Sequence, residues 1–226
     1  MLFTKEAARA NVRNREGKRV FYLGSGDTLT SEARDWLRAE RIEILPAEKA
    51  KQERYALLTG GFVTEKPEHM THLNGDVLVH KRHPRIRFRG VMDRLEAEIL
   101  LCQRACAHLQ APLQELLDLA RLVIRCDVLD EPLALKPLCG LDADALRQHS
   151  HFPQKYYGVA HFMPSYTDGE GVLRLNVLRC IARQAELAAV DAFCDREGNP
   201  TRTDILKALN RMSSTVYILM LKEKAS

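Results

Sequence analysis

The chain has 226 residues, 46% of them hydrophobic and 28% charged, which is enough to bury one good core plus a small appendage, and nothing in it suggests a long disordered tail. A formal net charge of +4 and a pI near 8.7 are too mild to imply nucleic acid without a clustered patch, although that sign suits an anionic ligand. No stretch approaches the roughly 20 apolar residues of a membrane span, and the start lacks a signal peptide's apolar run, so a soluble, cytoplasmic protein is expected.

The first 64 residues differ from the rest. Leu2, Phe3, Ala7 and Val12 are spaced for one face of a short amphipathic helix. Arg19 to Leu23 reads as a strand, Gly24 and Gly26 as a turn, Ser31 to Arg41 as a helix and Ile42 to Leu45 as a second strand, which makes a small β-α-β appendage. The charged stretch from Ala47 to Gly61 reads as a flexible tether. The domain boundary is therefore placed between 64 and 65, with 1–64 as appendage and tether and 65–226 as the main domain.

From Gly90 the period becomes helical. Met92, Leu95, Ile99, Cys102, Cys106 and Leu109 recur at three- and four-residue steps, and Pro112 opens a second helix through Ile124. Further helices are expected at Ala143 to His149, Val172 to Asp195 and Thr203 to Lys222, the last two separated by Gly198-Asn199-Pro200. The fold class is mainly α, a bundle of about five helices. Between the third and fourth lies a His-, Pro- and aromatic-rich segment that is long for a plain connection, and long ordered connections are often functional. The six cysteines fall in apolar stretches with no Cys-x-x-Cys pair, so they read as small buried residues and neither a metal knuckle nor a disulfide framework.

Two late segments carry the chemistry. Arg179 and Arg183 are four residues apart and Arg183 and Glu186 three apart, so all three project from one helix face and suit a polyphosphate. The same spacing also describes a solvated ion-pair ladder worth a few tenths of a kcal/mol. Asn210 and Arg211 follow on the last helix, where the alternative is a polar stripe beside Leu209, Met212 and Val216. Asp93 alone reads equally as a first-turn acid favourable to a helix dipole. The run from His80 to Arg89 is the one concentrated basic patch and by itself invites a nucleic-acid reading. His149, His151 and His161 invite a metal reading, against which stand a Ser-His-Phe-Pro turn and backbone-satisfied histidines.

The pattern Arg-x-x-x-Arg-x-x-Glu followed by Leu-Asn-Arg-x-Ser resembles the ATP:cob(I)alamin adenosyltransferases, and Thr203 to Leu221 is most similar to their ethanolamine-utilisation branch. A second block, Lys66 to Ile99, resembles the family's nucleotide-binding run. The resemblance implies a cobalamin adenosyltransferase-like bundle that transfers the 5′-deoxyadenosyl group of ATP to Co(I) of cobalamin and releases triphosphate. It implies Arg179, Arg183, Glu186 and Asp93 as catalytic residues, with Asp93 paired to Arg179, and Lys66, Thr71, Lys81, Arg85, Asn210 and Arg211 as ATP ligands. Lys66 or Lys81 supplies the ammonium of the phosphate-binding loop. His161 and Phe162 are the two candidates to face the corrin. Mg²⁺ would bridge the phosphates, and a homo-oligomer, with a trimer favoured, would form ATP pockets between subunits; the basic run then belongs to such a pocket and not to nucleic acid. A reductase and an adenosylcobalamin-dependent enzyme are the further partners. The chain lacks the His and Cys-Cys-x-x-Cys cluster of enteric relatives, so no transition-metal site is assigned. Its start resembles segments that dock ethanolamine enzymes to a protein shell, which would place it within a bacterial microcompartment. The alternative function is a corrinoid carrier of the same fold that delivers adenosylcobalamin with little catalysis.

Overall fold

A computed structural model describes residues 1–15, 17–47 and 55–225. The chain divides into two units, Met1–His83 and Pro84–Ser226, where the sequence reading draws its boundary at 64.

In the N-terminal unit the expected β-α-β is present: β3 (Lys18–Leu23), α2 (Ser31–Ala39) and β5 (Glu43–Pro46), with β3 and β5 parallel. Thr30 caps α2 by accepting from the Ala33 amide, which satisfies one of the orphan donors of the first turn. Sequence periodicity misses the rest. Residues 2 to 12 are not one helix: β1 (Leu2–Phe3) pairs with β4 (Thr28–Leu29), and only α1 (Lys5–Ala10) is helical, capped by Thr4. Phe3 meets Phe21 edge-on at 5.2 Å, and Ala8 and Val12 join Phe21, Leu29, Ala33, Leu37 and Ile42 in a core. β2 (Arg13–Arg15) adds an antiparallel strand to β3.

A four-stranded sheet follows, in the order β7-β6-β9-β8, from β6 (Tyr55–Leu57), β7 (Phe62–Val63), β8 (Met70–Asn74) and β9 (Val77–His80). Tyr55 to Leu57 of the expected tether is thus a strand, while its residues 48–54 lie outside those described. The expected phosphate loop is largely a hairpin, because Asn74-Gly75-Asp76 supplies the turn its strands need. Gly75 has φ 47°, and a Cβ there would sit 2.3 Å from the Asn14 carbonyl oxygen, so only glycine fits.

The C-terminal unit is helical: α3 (Pro84–Ala105), α4 (Gln110–Leu129), α5 (Ala143–His151), α6 (Pro153–Tyr157), α7 (Glu170–Phe193) and α8 (Thr203–Ala225), with a 3-10 turn at Ala107–Leu109. The first long helix opens six residues before Gly90, which puts the end of the basic run on its first turns. α3 packs on α7 and α4, α7 on α8, and α5 on α8. Phe88, Met92, Leu95 and Ile99 of α3 and Leu175, Leu178 and Ile181 of α7 fill one core, each such side chain contributing roughly 1.5–3 kcal/mol by leaving water. Ala182, Ala185 and Ala189 are fully buried and small, so α8 can lie close against α7. That closeness positions the site, since the polar faces of the two helices run side by side along the same seam.

Candidate active site

Along α7, Asn176, Arg179, Arg183 and Glu186 recur at steps of three, four and three; along α8, Asn210, Tyr217 and Met220, with the adjacent Ser213 and Ser214 between them, line one side of the helix. The two rows line a cavity of about 770 Å³, closed on a further side by Ser150 and His151 of α5 and by His161, Phe162, Met163 and Pro164. The long connection therefore forms one wall. Six of the twelve expected residues meet here: Arg179, Arg183, Glu186, Asn210, His161 and Phe162.

Glu186 accepts a 2.8 Å hydrogen bond from the Asn210 amide across the helix seam and does not pair with Arg183. Among the described residues, Arg179 and Arg183 have no carboxylate or hydrogen-bond partner; Arg179 instead lies 5.1 Å from the centroid of the Tyr217 ring. The ion-pair ladder that their spacing allows is thus not formed. Two cationic groups face a cavity with nothing anionic bonded to them, which is how a site for a phosphate-bearing ligand is arranged.

His161 is held at both ring nitrogens, Nδ1 2.9 Å from the Tyr217 hydroxyl and Nε2 3.2 Å from the His151 carbonyl oxygen. Phe162 packs against the bundle core and lies beneath the Lys224 ammonium, itself paired with Asp168. Burial pushes the Tyr217 phenol above its ordinary pKa, against the opposing pull of the Phe162 amide and the Arg179 charge. His149 stacks on Tyr156 at 3.7 Å and bonds the Tyr157 hydroxyl, so it is a satisfied structural side chain.

Other expected residues lie elsewhere. Arg211 is outside the cavity: its Nε donates to the Ala143 carbonyl oxygen at 2.7 Å and its Nη1 to the Asn210 side-chain oxygen. With that oxygen engaged, the Asn210 NH₂ group must point at Glu186. Arg85 is also outside, donating to the Asp127 carboxylate at 2.7 Å and to the Asp127 carbonyl oxygen at 2.6 Å, while Arg89 takes the second carboxylate oxygen. Asp127 is fully buried, and an unpaired charge there would be costly, so this is a structural cluster that turns two cations of the basic run inward. Asp93 is exposed on α3 and makes no ion pair with Arg179 within the chain. Lys66, Thr71 and Lys81 belong to the N-terminal unit, Thr71 half-buried on β8 and the two lysines exposed.

Sequence reading missed Tyr217, Asn176, Ser213 and Ser214. The signal was present, because Tyr217 stands seven residues past Asn210 on the same helix face. The expectation of buried cysteines holds for Cys102, Cys106 and Cys126, whereas Cys180 is exposed beside Arg179 on α7. Burial pushes the Cys102 thiol up to about 12, which keeps it inert. Among the described residues no helix is long and apolar enough to cross a membrane.

The family model for cobalamin adenosyltransferase matches residues 62–223. The chain is 32% identical to the corrinoid adenosyltransferase EutT of Salmonella typhimurium, over 96% of this chain and 90% of the relative. It is 36% identical to the corrinoid adenosyltransferase EutT of Escherichia coli K12, over 70% of this chain and 60% of the relative. No solved structure matches it. Arginines without acidic partners, facing a cavity between two late helices, and a family match spanning both units converge on one conclusion: this chain belongs to the cobalamin adenosyltransferase family.

Proposed function

We infer that this protein is an ATP:cob(I)alamin adenosyltransferase, an enzyme that joins the 5′ carbon of ATP to cobalt. The electron pair of Co(I) forms the Co–C5′ bond, the C5′–O5′ bond breaks, and its electrons leave with triphosphate. The observation that carries this reading is the pair Arg179 and Arg183, which face the cavity without acidic partners and can meet charge growing on the leaving group. The cavity size suits one drug-sized part of the substrates, such as the adenosyl moiety with its reacting carbon.

Asn210 has a fixed amide and is placed to orient the ribose, while Glu186 holds that amide in turn. Among the described residues Glu186 is also the one carboxylate that lines the cavity, and with the Ser213 and Ser214 hydroxyls it gives the hard oxygen donors that Mg²⁺ prefers. These groups fit a hydrated Mg²⁺ on the phosphates; bound there, the ion would neutralise triphosphate charge. Lys66, Thr71 and Lys81 are proposed as phosphate ligands on the family resemblance of their segment. His161 and Phe162 are proposed to face the corrin, where an aromatic wall keeps water from reduced cobalt.

A homo-oligomer, with a trimer favoured, is supported by the outer faces of two helices. Leu100 and Leu101 of α3 are 48% and 55% exposed, and Leu187 of α7 is 67% exposed, apolar surface that water disfavours and a second copy would cover. Asp93 lies on the same face of α3 as Leu100 and Leu101, so its proposed arginine partner belongs to a neighbouring subunit. The setting proposed is cytoplasmic, cobalamin-dependent ethanolamine metabolism, with a reductase upstream and an adenosylcobalamin-dependent enzyme downstream. Shell docking through the N-terminus gains no support, because Phe3, Ala8 and Val12 are used in that unit's own core. Titration of the full chain with ATP tests the reading: binding is expected to weaken at least tenfold in Arg179→Ala and in Arg183→Ala, and unchanged binding in both would overturn it.

A further inference from the structure

Tyr217 touches both ends of the cavity. On one side the Arg179 guanidinium lies 5.1 Å from its ring centroid, within cation–π range. On the other, its hydroxyl is 2.9 Å from His161 Nδ1, and the two rings lie within 8° of parallel. The protonation pattern follows from the partners. The His151 carbonyl oxygen can only accept, so His161 Nε2 carries the hydrogen. In a neutral imidazole Nδ1 is then the acceptor, and the Tyr217 O–H donates to it. Both imidazole nitrogens are thereby engaged, and His161 has no lone pair to offer a metal ion; it presents a fixed aromatic plane.

We propose that Tyr217 is a positioning residue that couples the arginine end of the cavity to the His161 end, its ring carrying Arg179 and its hydroxyl fixing the His161 imidazole. The roles of those two ends rest on the adenosyltransferase reading, whereas the coupling itself rests on geometry alone. Tyr217→Phe separates the two contributions, since it keeps the ring under Arg179 and removes the bond to His161. Tyr217→Ala removes both.

The test has two arms on the full-length protein. Long-range proton–nitrogen NMR on histidine-labelled protein without substrate should show His161 protonated at Nε2, with Nδ1 shifted as a hydrogen-bonded acceptor. Tyr217→Phe should move the His161 Nδ1 signal and leave that of His149 in place. In steady-state kinetics Tyr217→Phe should lower kcat/KM for cobalamin about tenfold, the worth of one hydrogen bond, with little change in KM for ATP. Tyr217→Ala should raise KM for ATP as well. In a His161→Phe background, Tyr217→Phe should add nothing, because its effect passes through the missing imidazole. Identical His161 nitrogen signals in wild type and Tyr217→Phe would overturn the proposal, as would an equal loss from Tyr217→Phe in the His161→Phe background. Absence of adenosyl transfer in the wild type would sink the enzyme reading alone, because the NMR arm decides the coupling without turnover.

Discussion

Two arginines in the Asn-Arg and Arg-x-x-x-Arg segments look alike in sequence and have opposite surroundings in the fold. Arg183 is exposed toward the cavity and unpaired among the described residues, so Arg183→Ala should leave the bundle folded. Its turnover should fall by orders of magnitude, since one well-placed donor to developing charge is worth about 2.7–4 kcal/mol. Circular dichroism with anaerobic kinetics on the same preparation checks both halves, and retained turnover would remove Arg183 from the mechanism. Arg211 acts at one remove, since its hydrogen bonds fix α5 and the Asn210 amide. Arg211→Met should therefore raise KM for ATP through a disordered Asn210 and also lower thermal stability, a joint loss that Arg183→Ala should not show. Spacing alone could place Arg179, Arg183 and Glu186 on one face. It could not show that Glu186 bonds Asn210 in preference to Arg183, because that choice is made by the neighbouring helix.

The helices that carry the site were legible because their apolar residues recur with a period near 3.6, and the structure contains all five, the first opening six residues earlier and the second running five residues longer than expected. The strands were less so. Leu2–Phe3 and Phe62–Val63 are two residues long and paired to distant segments, and a pattern that short has no period to read. The setting of Arg85 was hidden for a related reason: its partner Asp127 is 42 residues away on α4, and no local pattern announces a buried carboxylate. The start of α8 makes a prediction of its own. Asp204 receives the Leu133 amide at 2.8 Å and two bonds from Arg202, tying the first turn of α8 to the segment after α4. Burial alone would push its carboxyl up, but the bonds from Arg202 and the amides of Leu133 and Ile205 outweigh this and hold the pKa at about 2. A lowered pKa means that the unfolded chain binds the proton first, so the stabilisation is present above the ordinary value of 3.8 and fades as pH falls toward 2. Asp204→Asn should melt below wild type at pH 6, and the gap should narrow steadily as pH falls from about 4 toward 2; a gap that is constant with pH would show that the charge is not what stabilises α8.

For the whole molecule, the account needs a partner copy. The exposed Leu100, Leu101 and Leu187, and Asp93, which has no ion-pair partner among the described residues, are assigned to the proposed interface with a second copy. Leu101→Asp combined with Leu187→Asp should convert the proposed oligomer to monomer in sedimentation experiments and lower ATP affinity with it, while wild-type chain that sediments as a monomer at micromolar concentration would refute the proposed shared pocket. The distinction between enzyme and carrier is also made at this scale. The most direct measurement mixes the intact protein with ATP and chemically reduced cobalamin under strict anaerobiosis and follows the absorbance change of cobalt–carbon bond formation alongside triphosphate release. The account predicts adenosylcobalamin and triphosphate appearing in equal amounts over many turnovers, and loss of both in Arg183→Ala. Tight binding of added adenosylcobalamin with no ATP-dependent bond formation would contradict it and leave a carrier in its place.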